Sequence, residues 1–294
     1  MLTSSTTHLS FSIVPALGGK ILSLYNKHLQ KEFLWTNEGL PLTKQEPGAD
    51  YDTNFLGGID ELLPNDVAET VDGILYPDHG ELWTTALHYE LHQDRITVYG
   101  KLEKSGLYYS KTVYPDPDGP RLFIDYSIKN ETSFTRHFLW KLHAALHIQA
   151  GDKLVTHAKK GQVVDPSYSR FKNTNPFNWP LIEGIDASIL PPKGNEVDFF
   201  YLYDVPSGDM QLVSNAGELV FSYRYDTAVF PYQWYFASYG GFLNHYTAIL
   251  EPCTNMPILV TDAMVKKQSA SLEPGQTLTT TVQIYAGEKK NYIP

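Results

Sequence analysis

Hydrophobic and polar residues alternate with a period of two along most of the chain. In RLFIDYSIKN (121–130), apolar side chains alternate with Asp125, Ser127 and Lys129. This pattern is typical of an antiparallel strand with one face buried. Segments 96–104, 218–226 and 276–287 follow the same pattern. The sequence therefore predicts an all-β protein built from antiparallel sheets.

Between these segments lie short runs rich in Pro, Gly and Asp, which favour turns. Helical periodicity is weak, and residues 261–268 (TDAMVKKQ) are the best short candidate. Residues 157–200 show little periodicity and are expected to form long surface loops over one side of the sheet. No stretch resembles an interdomain linker and no repeat of fixed period occurs. A single domain is therefore predicted over residues 1–294. The predicted loops are 114–121, 191–198 and 273–277.

Composition and charge exclude several classes of partner. The 294 residues are 42% hydrophobic and 13% aromatic, and the net charge is −10. That charge, with no basic cluster, argues against nucleic acid as a partner. No apolar window is long enough for a membrane span, and the N-terminus lacks the pattern of a signal peptide. One cysteine allows no internal disulfide, which fits a reducing compartment, so a cytoplasmic location is expected.

Two histidines at i, i+4 spacing, His143 and His147, invite a metal-site interpretation. However, FLWKLHAALHIQAG (138–151) alternates as a strand, with Leu142 and Ala144 on one face and both histidines on the other. Four residues of strand span about 13 Å, too far for two ligands of one ion. A zinc site is therefore disfavoured. His143, beside Lys141, is a candidate for acid–base chemistry, and a histidine on a solvated sheet face is the alternative.

A second cluster of polar residues lies in FLGGIDELLPND (55–66) and YPDHGELW (76–83). It contains Asp60, Glu61, His79 and Glu81, and Gly80 permits close approach of the backbone. This mixture suits a site that binds several hydroxyl groups. An acidic surface loop would have the same composition.

Near the C-terminus, the apolar strand YTAIL ends on Glu251, followed by Pro252. Thr247, Ile249 and Glu251 share one face, and Pro252 removes a backbone donor where the strand is expected to end. A partly desolvated carboxylate has a raised pKa, which suits a general base. A structural salt bridge is the alternative. Cys253 lacks a partner motif and is interpreted as a small packed residue.

These segments, in this order along nearly the whole chain, resemble the aldose 1-epimerase (galactose mutarotase-like) superfamily. The segments that carry the resemblance are GGKILSL, EFLW, GGIDELLPN, DHGELW, LWKLHAALHIQAGD and YGGFLNHYTAILEPCTNMP. The resemblance implies a large antiparallel β-supersandwich whose concave face binds a sugar.

It also implies roles for individual residues. Glu251 would remove the proton of the anomeric hydroxyl, His143 would protonate the ring oxygen, and His79 would hold the sugar. The ring would open and close again as the other anomer, with no metal or cofactor. The chain has Asp60 and Glu61 where the best-known members carry a sugar-binding arginine, and HAALHI replaces their NHTYFNL-like residues. The predicted substrate-binding residues are His79, Asp60, Glu61, Glu81, Lys141 and Trp234.

Alternatives remain at this point. A polysaccharide lyase or a glycosidase could share the fold, and a glycosidase needs two carboxylates about 5 to 9.5 Å apart. A non-catalytic carbohydrate-binding or sensing protein is the other alternative, because fold does not imply function. A phosphorylated sugar would require a cluster of cations, and the five arginines are scattered, so a neutral hexose is the predicted ligand.

Overall fold

The strand predictions were compared with a computed structural model, which describes residues 1–293. Strands dominate the secondary structure. The first thirteen are β1 (Leu2–Ser5), β2 (Leu9–Val14), β3 (Lys20–Asn26), β4 (Lys31–Glu32), β5 (Ile59–Leu62), β6 (Glu69–Val71), β7 (Ile74–Tyr76), β8 (His88–His92), β9 (Arg95–Lys101), β10 (Leu107–Pro115), β11 (Arg121–Asn130), β12 (Arg136–Phe138) and β13 (Lys141–His147). The remaining strands are β14 (Lys153–Thr156), β15 (Lys160–Val163), β16 (Phe177–Asn178), β17 (Leu181–Ile182), β18 (Ile185–Asp186), β19 (Val197–Tyr203), β20 (Asp209–Val213), β21 (Leu219–Arg224), β22 (Tyr232–Tyr239), β23 (Tyr246–Cys253), β24 (Ala270–Leu272) and β25 (Thr277–Glu288).

Helical structure is confined to short pieces. The α-helix α1 covers Val260–Val265. It overlaps the predicted segment 261–268 and begins one residue before it. Single 3₁₀ turns occur at Pro15–Leu17, Asp52–Asn54, Leu82–Thr84, Pro166–Tyr168 and Lys289–Asn291. Within residues 1–293, no helix is long and apolar enough to cross a membrane.

Two large antiparallel sheets pack face to face. The first runs in the order β1-β2-β3-β5-β13-β23-β22-β19-β15-β16, with β4 paired to β3, and has 11 strands. The second has 8 strands in the order β14-β20-β21-β25-β11-β10-β9-β8. The pairs β12-β24, β17-β18 and β6-β7 form separate two-stranded ribbons. The predicted all-β sandwich class is therefore confirmed.

The alternation of apolar and polar residues along the strands determines which face of each sheet packs against the other. Along β11, Leu122, Ile124, Tyr126 and Ile128 are buried in the main core, and the residues between them are more accessible. The neighbouring strand β25 contributes buried residues to the same core. Burial of each large apolar side chain stabilises the fold by about 1.5–3 kcal/mol relative to exposure. The strands predicted at 96–104, 218–226 and 276–287 correspond to β9, β21 and β25.

The least periodic region, 157–200, contains more strand than its sequence indicates. It holds the short strands β15 to β18 and the start of β19, joined by loops. The strands β16, β17 and β18 have two residues each, too short for alternation to be recognised. The prediction of long loops was therefore only partly right.

A buried ion pair joins the two sheets behind β5. Lys111 of β10 donates to both carboxylate oxygens of Glu61 at 2.8 Å, and the side chains of both are fully buried. The hydroxyl of Tyr126 donates to the same carboxylate at 2.7 Å. These bonds satisfy a charge that would otherwise be costly inside the core.

Candidate active site

Four residues form a row across the centre of the large sheet. The pairs Lys141–Cys253 and Ala144–Leu250 place His143 directly opposite Glu251 on β23. His143 is also paired with Asp60 on β5, and Glu251 with Trp234 on β22. Residues opposite one another in neighbouring strands share a face. The row lies on the face that points away from the second sheet.

A pocket of about 210 Å³ opens over this row. Its acid–base groups include Glu251, Lys141 and the three histidines His79, His143 and His245, and it also contains three further carboxylates. The other lining side chains are mostly aromatic or aliphatic. The lining residues are Tyr51, Asp52, Phe55, Asp66, Val67, Asp78, His79, Lys141, His143, Tyr168, Phe199, Phe236, Ser238, Phe242, His245, Thr247, Ile249, Glu251 and Ile258.

Glu251 is a buried carboxylate at the floor of the pocket, with 1% of its surface exposed. Its Oε1 atom lies 3.2 Å from Nε2 of His143, and its Oε2 atom lies 3.4 Å from Nζ of Lys141. No group among the described residues makes a well-aligned hydrogen bond to Oε2. Burial raises the pKa of Glu251 to about 7, although Lys141 opposes the shift. The carboxylate can therefore gain or lose a proton near neutral pH.

The position of Glu251 differs from the sequence prediction in one respect. Strand β23 does not end on Glu251 but continues to Cys253, and Pro252 is paired with Gln233 of β22. The ladder continues across Pro252 because a proline lacks only the N–H and can still be positioned within a paired strand. Cys253 is fully buried in an apolar cluster, and burial raises the pKa of its thiol.

Lys141 is held between two acids and an aromatic ring. Its Nζ donates to Oδ1 of Asp66 at 2.7 Å and lies 4.4 Å from the ring centroid of Trp234. Burial disfavours the charged amine, but Asp66 and Glu251 outweigh that effect and raise the pKa of Lys141. The amine therefore remains charged, and its charge is already matched within the site.

His143 belongs to a chain of hydrogen bonds that runs away from Glu251. Its Nδ1 atom lies 3.4 Å from the hydroxyl of Tyr51, and that hydroxyl donates to Oδ2 of Asp60 at 3.0 Å. Lys20 forms a buried ion pair with Asp60. Burial and the nearby charge of Lys141 lower the pKa of His143 well below its usual value. The imidazole is therefore neutral near pH 7, which does not suit the predicted role of proton donor.

His79 has the opposite electrostatic setting. Burial alone would lower its pKa, but the hydrogen bond from its Nδ1 to Asp78 (2.7 Å) and the charge of Asp66 raise it overall. Its ring stacks on Tyr51 with a centroid distance of 4.0 Å. His79 therefore retains a proton more readily than a free histidine and presents it to the pocket.

The backbone around His79 explains the HG dipeptide. His79 and Gly80 both adopt positive φ angles, 57° and 72°. A Cβ atom on Gly80 would lie 2.3 Å from the carbonyl oxygen of Leu63, so any larger residue would clash. The backbone N–H of His79 also donates to the carbonyl of Asp66. The turn thus fixes His79 over the pocket through backbone contacts.

An apolar row lies beside the row that contains His143 and Glu251. Phe199 on β19 is paired with Phe236 on β22, and Phe236 with Ile249 on β23. Phe242 contacts Phe236 edge to face at 5.5 Å, and Phe199 contacts it at 5.6 Å. The rows are two residues apart along each strand, about 7 Å. The apolar face of a ligand ring can therefore lie on this row while the reactive end of the ligand lies over Glu251.

The other predicted binding residues lie outside the pocket lining. Asp60 binds Lys20 and Tyr51 beneath the site, and Trp234 is fully buried with its indole N–H donating to Asn255. Glu61 points into the core, because neighbouring residues on a strand face opposite sides. Glu81 accepts backbone N–H bonds at 2.8 and 2.9 Å from residues 104 and 105. These four side chains are therefore not placed to contact a ligand in the pocket.

Several residues of the site were missed from the sequence. Asp66 lies in the segment 55–66 that attracted attention, but its contact with Lys141 spans 75 positions. Tyr51 lies in a loop without periodicity and reaches His143 over 92 positions. The aromatic run DFFYLY (198–203) could have indicated a strand that contains Phe199, but without alternation it does not show on which face Phe199 lies. Among residues 1–293, no group of three or more His, Cys, Asp or Glu side chains has the arrangement of a metal site.

Solved structures share this fold at low sequence identity. A provisionally named aldose 1-epimerase from Escherichia coli is 14% identical, with a TM-score of 0.74 over 97% of this chain and 98% of that one. A galactose mutarotase-like protein from Lactobacillus casei is 16% identical, with a TM-score of 0.70 over 97% and 99%. Another from Clostridium acetobutylicum is 13% identical, with a TM-score of 0.71 over 97% and 94%.

By sequence, no family model matches the chain, and no curated protein matches it significantly. The structural likeness confirms the predicted galactose mutarotase-like sandwich. At these identities it establishes the fold, and the chemistry must be argued from the pocket.

Proposed function

We propose that the protein is an aldose 1-epimerase that interconverts the α and β anomers of a free, neutral hexose. The observation that carries the proposal is that a buried carboxylate and a histidine, each with a raised pKa, line one pocket. Burial raises the pKa of Glu251 to about 7, and the carboxylates around His79 outweigh burial and raise the pKa of that imidazole. Ring opening needs one base and one acid near neutral pH, which this pair supplies.

In the proposed reaction, Glu251 removes the proton of the anomeric hydroxyl. The electron pair of the C1–O5 bond moves to the ring oxygen, which takes a proton from His79. Rotation about C1–C2 and the reverse steps give the other anomer. Relative to the sequence prediction, the acid role passes from His143 to His79, because burial and Lys141 lower the pKa of His143 whereas the carboxylates around His79 raise its pKa.

The alternatives fit the site less well. A glycosidase needs a second carboxylate free to act, but Asp60, Glu61 and Glu81 are bound to lysines or backbone amides. Within the pocket, Asp66 is paired with Lys141 and Asp78 with His79, which leaves Asp52 as the one candidate for that role among the lining residues. A protein that only bound sugar would gain nothing from a buried carboxylate with a raised pKa, since such groups are concentrated at catalytic sites. Lys141 is already paired with Asp66, and the described pocket lining contains no arginine, which favours a neutral sugar.

The test is the equilibration of freshly dissolved α-glucose and α-galactose, followed by polarimetry and by NMR exchange between anomers. We expect the protein to accelerate equilibration of at least one sugar. Glu251→Gln keeps the shape of the side chain and removes the base, so the rate should fall by about 10²–10⁴-fold.

Glu90→Gln is the matched control, since Glu90 is exposed on β8 of the other sheet. It should leave the rate unchanged. No acceleration by the wild-type protein with either sugar would contradict the epimerase proposal. Acceleration that survives Glu251→Gln would contradict the assignment of the base.

A further inference from the structure

The pocket is divided into a charged end and an apolar end. Asp78 is bonded to His79 and Asp66 to Lys141, and the amine of Lys141 also lies 3.4 Å from Glu251, so these charges are grouped together. The apolar row described above lies about 7 Å further along the same strands. A ligand that fills the pocket therefore meets charged groups at one end and mainly carbon at the other.

The two buried hydroxyl groups at the apolar end are already used by the backbone. The hydroxyl of Ser238 contacts the carbonyl oxygens of Phe242 and His245 at 3.1 and 2.8 Å, and it accepts the backbone N–H of Phe242 at 3.1 Å. The hydroxyl of Thr247 donates to the carbonyl oxygen of Leu146 at 2.9 Å. Both side chains line the pocket and are buried. Neither hydroxyl therefore has a proton available for a ligand.

Two further polar side chains, Tyr168 and His245, lie near the apolar row. Each packs its ring edge to face with Phe242, at centroid distances of 5.9 and 6.4 Å. Tyr168 is 41% exposed and His245 is only half-buried, so water competes for their polar atoms. The rings of Phe199 and Phe236 line the pocket and are themselves only partly buried. Their remaining apolar surface is available to a ligand.

We infer that the substrate is a 6-deoxyhexose, a sugar that carries a methyl group at C5 instead of a CH₂OH group. This inference rests on the proposed function, which places the anomeric hydroxyl at Glu251 and the ring oxygen at His79. The groups of a hexopyranose farthest from C1 are then the C4 hydroxyl and the C5 substituent, and C6 is the only carbon outside the ring. C6 is therefore the group suited to the apolar row.

The oxygen at C6 is what the apolar row selects against. A methyl group gains free energy when it leaves water for an apolar surface. A hydroxyl group that loses its water without a new partner costs free energy. The hydroxyls of Ser238 and Thr247 cannot supply that partner, because both already bond the backbone.

The test uses pairs of sugars that differ only in the oxygen at C6. The pairs are D-fucose with D-galactose, 6-deoxy-D-glucose with D-glucose, and L-fucose with L-galactose. NMR exchange between anomers gives kcat/KM for each sugar with the wild-type protein. We expect the 6-deoxy member of at least one pair to be favoured by roughly 10- to 100-fold. Equal values in every pair, or higher values for the sugars with a 6-hydroxyl, would overturn the inference.

Binding separates failure of this inference from failure of the epimerase proposal. Dissociation constants of the same sugars, measured by ligand-observed NMR, require no turnover. If no sugar equilibrates faster but the 6-deoxy sugars bind more tightly, the epimerase proposal fails and the specificity stands. If the sugars of each pair are equilibrated equally well, the specificity fails and the epimerase proposal stands. Absence of both binding and turnover would contradict both.

A substitution in the apolar row should weaken the preference. Phe236→Tyr adds one hydroxyl to the central ring of the row, which offers a partner to the oxygen at C6, so the ratio within the favoured pair should fall toward one. Phe199→Tyr repeats the test on the neighbouring ring. Phe134→Tyr is the matched control, because Phe134 is 68% exposed and does not line the pocket, and it should leave the ratio unchanged. A wild-type ratio in both pocket variants would contradict the role given to the apolar row.

Discussion

At the scale of single residues, Glu251 as the proposed base and His79 as the proposed acid would set opposite pH limits on the proposed activity. The pKa of Glu251 is raised to about 7 by burial, so the base is ionised only above that pH. The pKa of His79 is raised because Asp78 and Asp66 outweigh burial, so the proposed acid holds its proton to higher pH than a free histidine does. We expect a bell-shaped dependence of kcat/KM on pH, with its acidic limb near the pKa of Glu251.

Asp78→Asn tests the alkaline limb of this profile. The substitution removes the hydrogen-bonded charge that favours protonated His79, so its pKa should fall and the alkaline limb should move to lower pH. The acidic limb should move much less. The measurement is anomer equilibration across pH, and an alkaline limb that stays in place would argue against His79 as the acid.

The burial that raises the pKa of Glu251 also destabilises the fold at alkaline pH. The folded-state pKa of about 7 is higher than the ordinary value of 4.5, so the folded protein binds the proton more tightly than the unfolded chain. The contribution of Glu251 to the free energy of unfolding is therefore fully present at low pH and is lost as pH rises through 7. Glu251→Gln should be more stable than wild type at alkaline pH, by on the order of 1–3 kcal/mol.

Urea unfolding of the two proteins at acidic and alkaline pH measures this difference. The gain should shrink as pH falls toward the range where Glu251 is protonated in the folded protein. If wild type and Glu251→Gln were equally stable at both acidic and alkaline pH, Glu251 would not be desolvated. That result would contradict the burial described for it beside Lys141 and His143. Gain of stability with loss of activity is the usual trade-off at a catalytic site.

At the scale of elements, strands β9, β11, β21 and β25 were predictable because each has one buried face and the alternation repeats over six to twelve residues. The face of β13 was predictable for the same reason, and so was the neighbourhood of His143 and Lys141. The side of β5 on which Glu61 lies was not recognised, because IDEL is buried on both faces and shows no alternation.

The ion pair between β5 and β10 gives a prediction at this scale. Lys111→Met leaves the carboxylate of Glu61 buried without a counter-charge, which should lower the free energy of unfolding by about 3–5 kcal/mol. Adding Glu61→Gln should recover part of the loss, because the uncompensated charge is removed. Urea unfolding of the two single variants and the double variant gives the coupling. Additive effects would mean that the two side chains do not form the contact described.

At the scale of the molecule, long-range contacts set the limit of prediction from sequence. The site draws on Tyr51, Asp66, His79, His143 and Glu251, which lie on two central strands and three loops. The position of a residue was foreseeable where it was on a recognisable strand, as with His143 and Glu251. The position of Tyr51 was not foreseeable, because it depends on how its loop closes over the sheet, and the contact of Lys20 with Asp60 joins residues 40 positions apart.

Charge on the whole molecule gives the last prediction. The net charge is −10, and Asp52, Asp66 and Asp78 line the pocket. The charge of Lys141 is balanced there by its ion pair with Asp66. A hexose 6-phosphate should therefore be processed with a kcat/KM roughly tenfold or more below that of the free hexose at low salt. The gap should narrow as salt is raised, since the Debye length falls from about 30 Å at 0.01 M to about 10 Å at 0.1 M. The free hexose should show little salt dependence, and a phosphorylated sugar that is processed faster than the free one would reverse the substrate assignment.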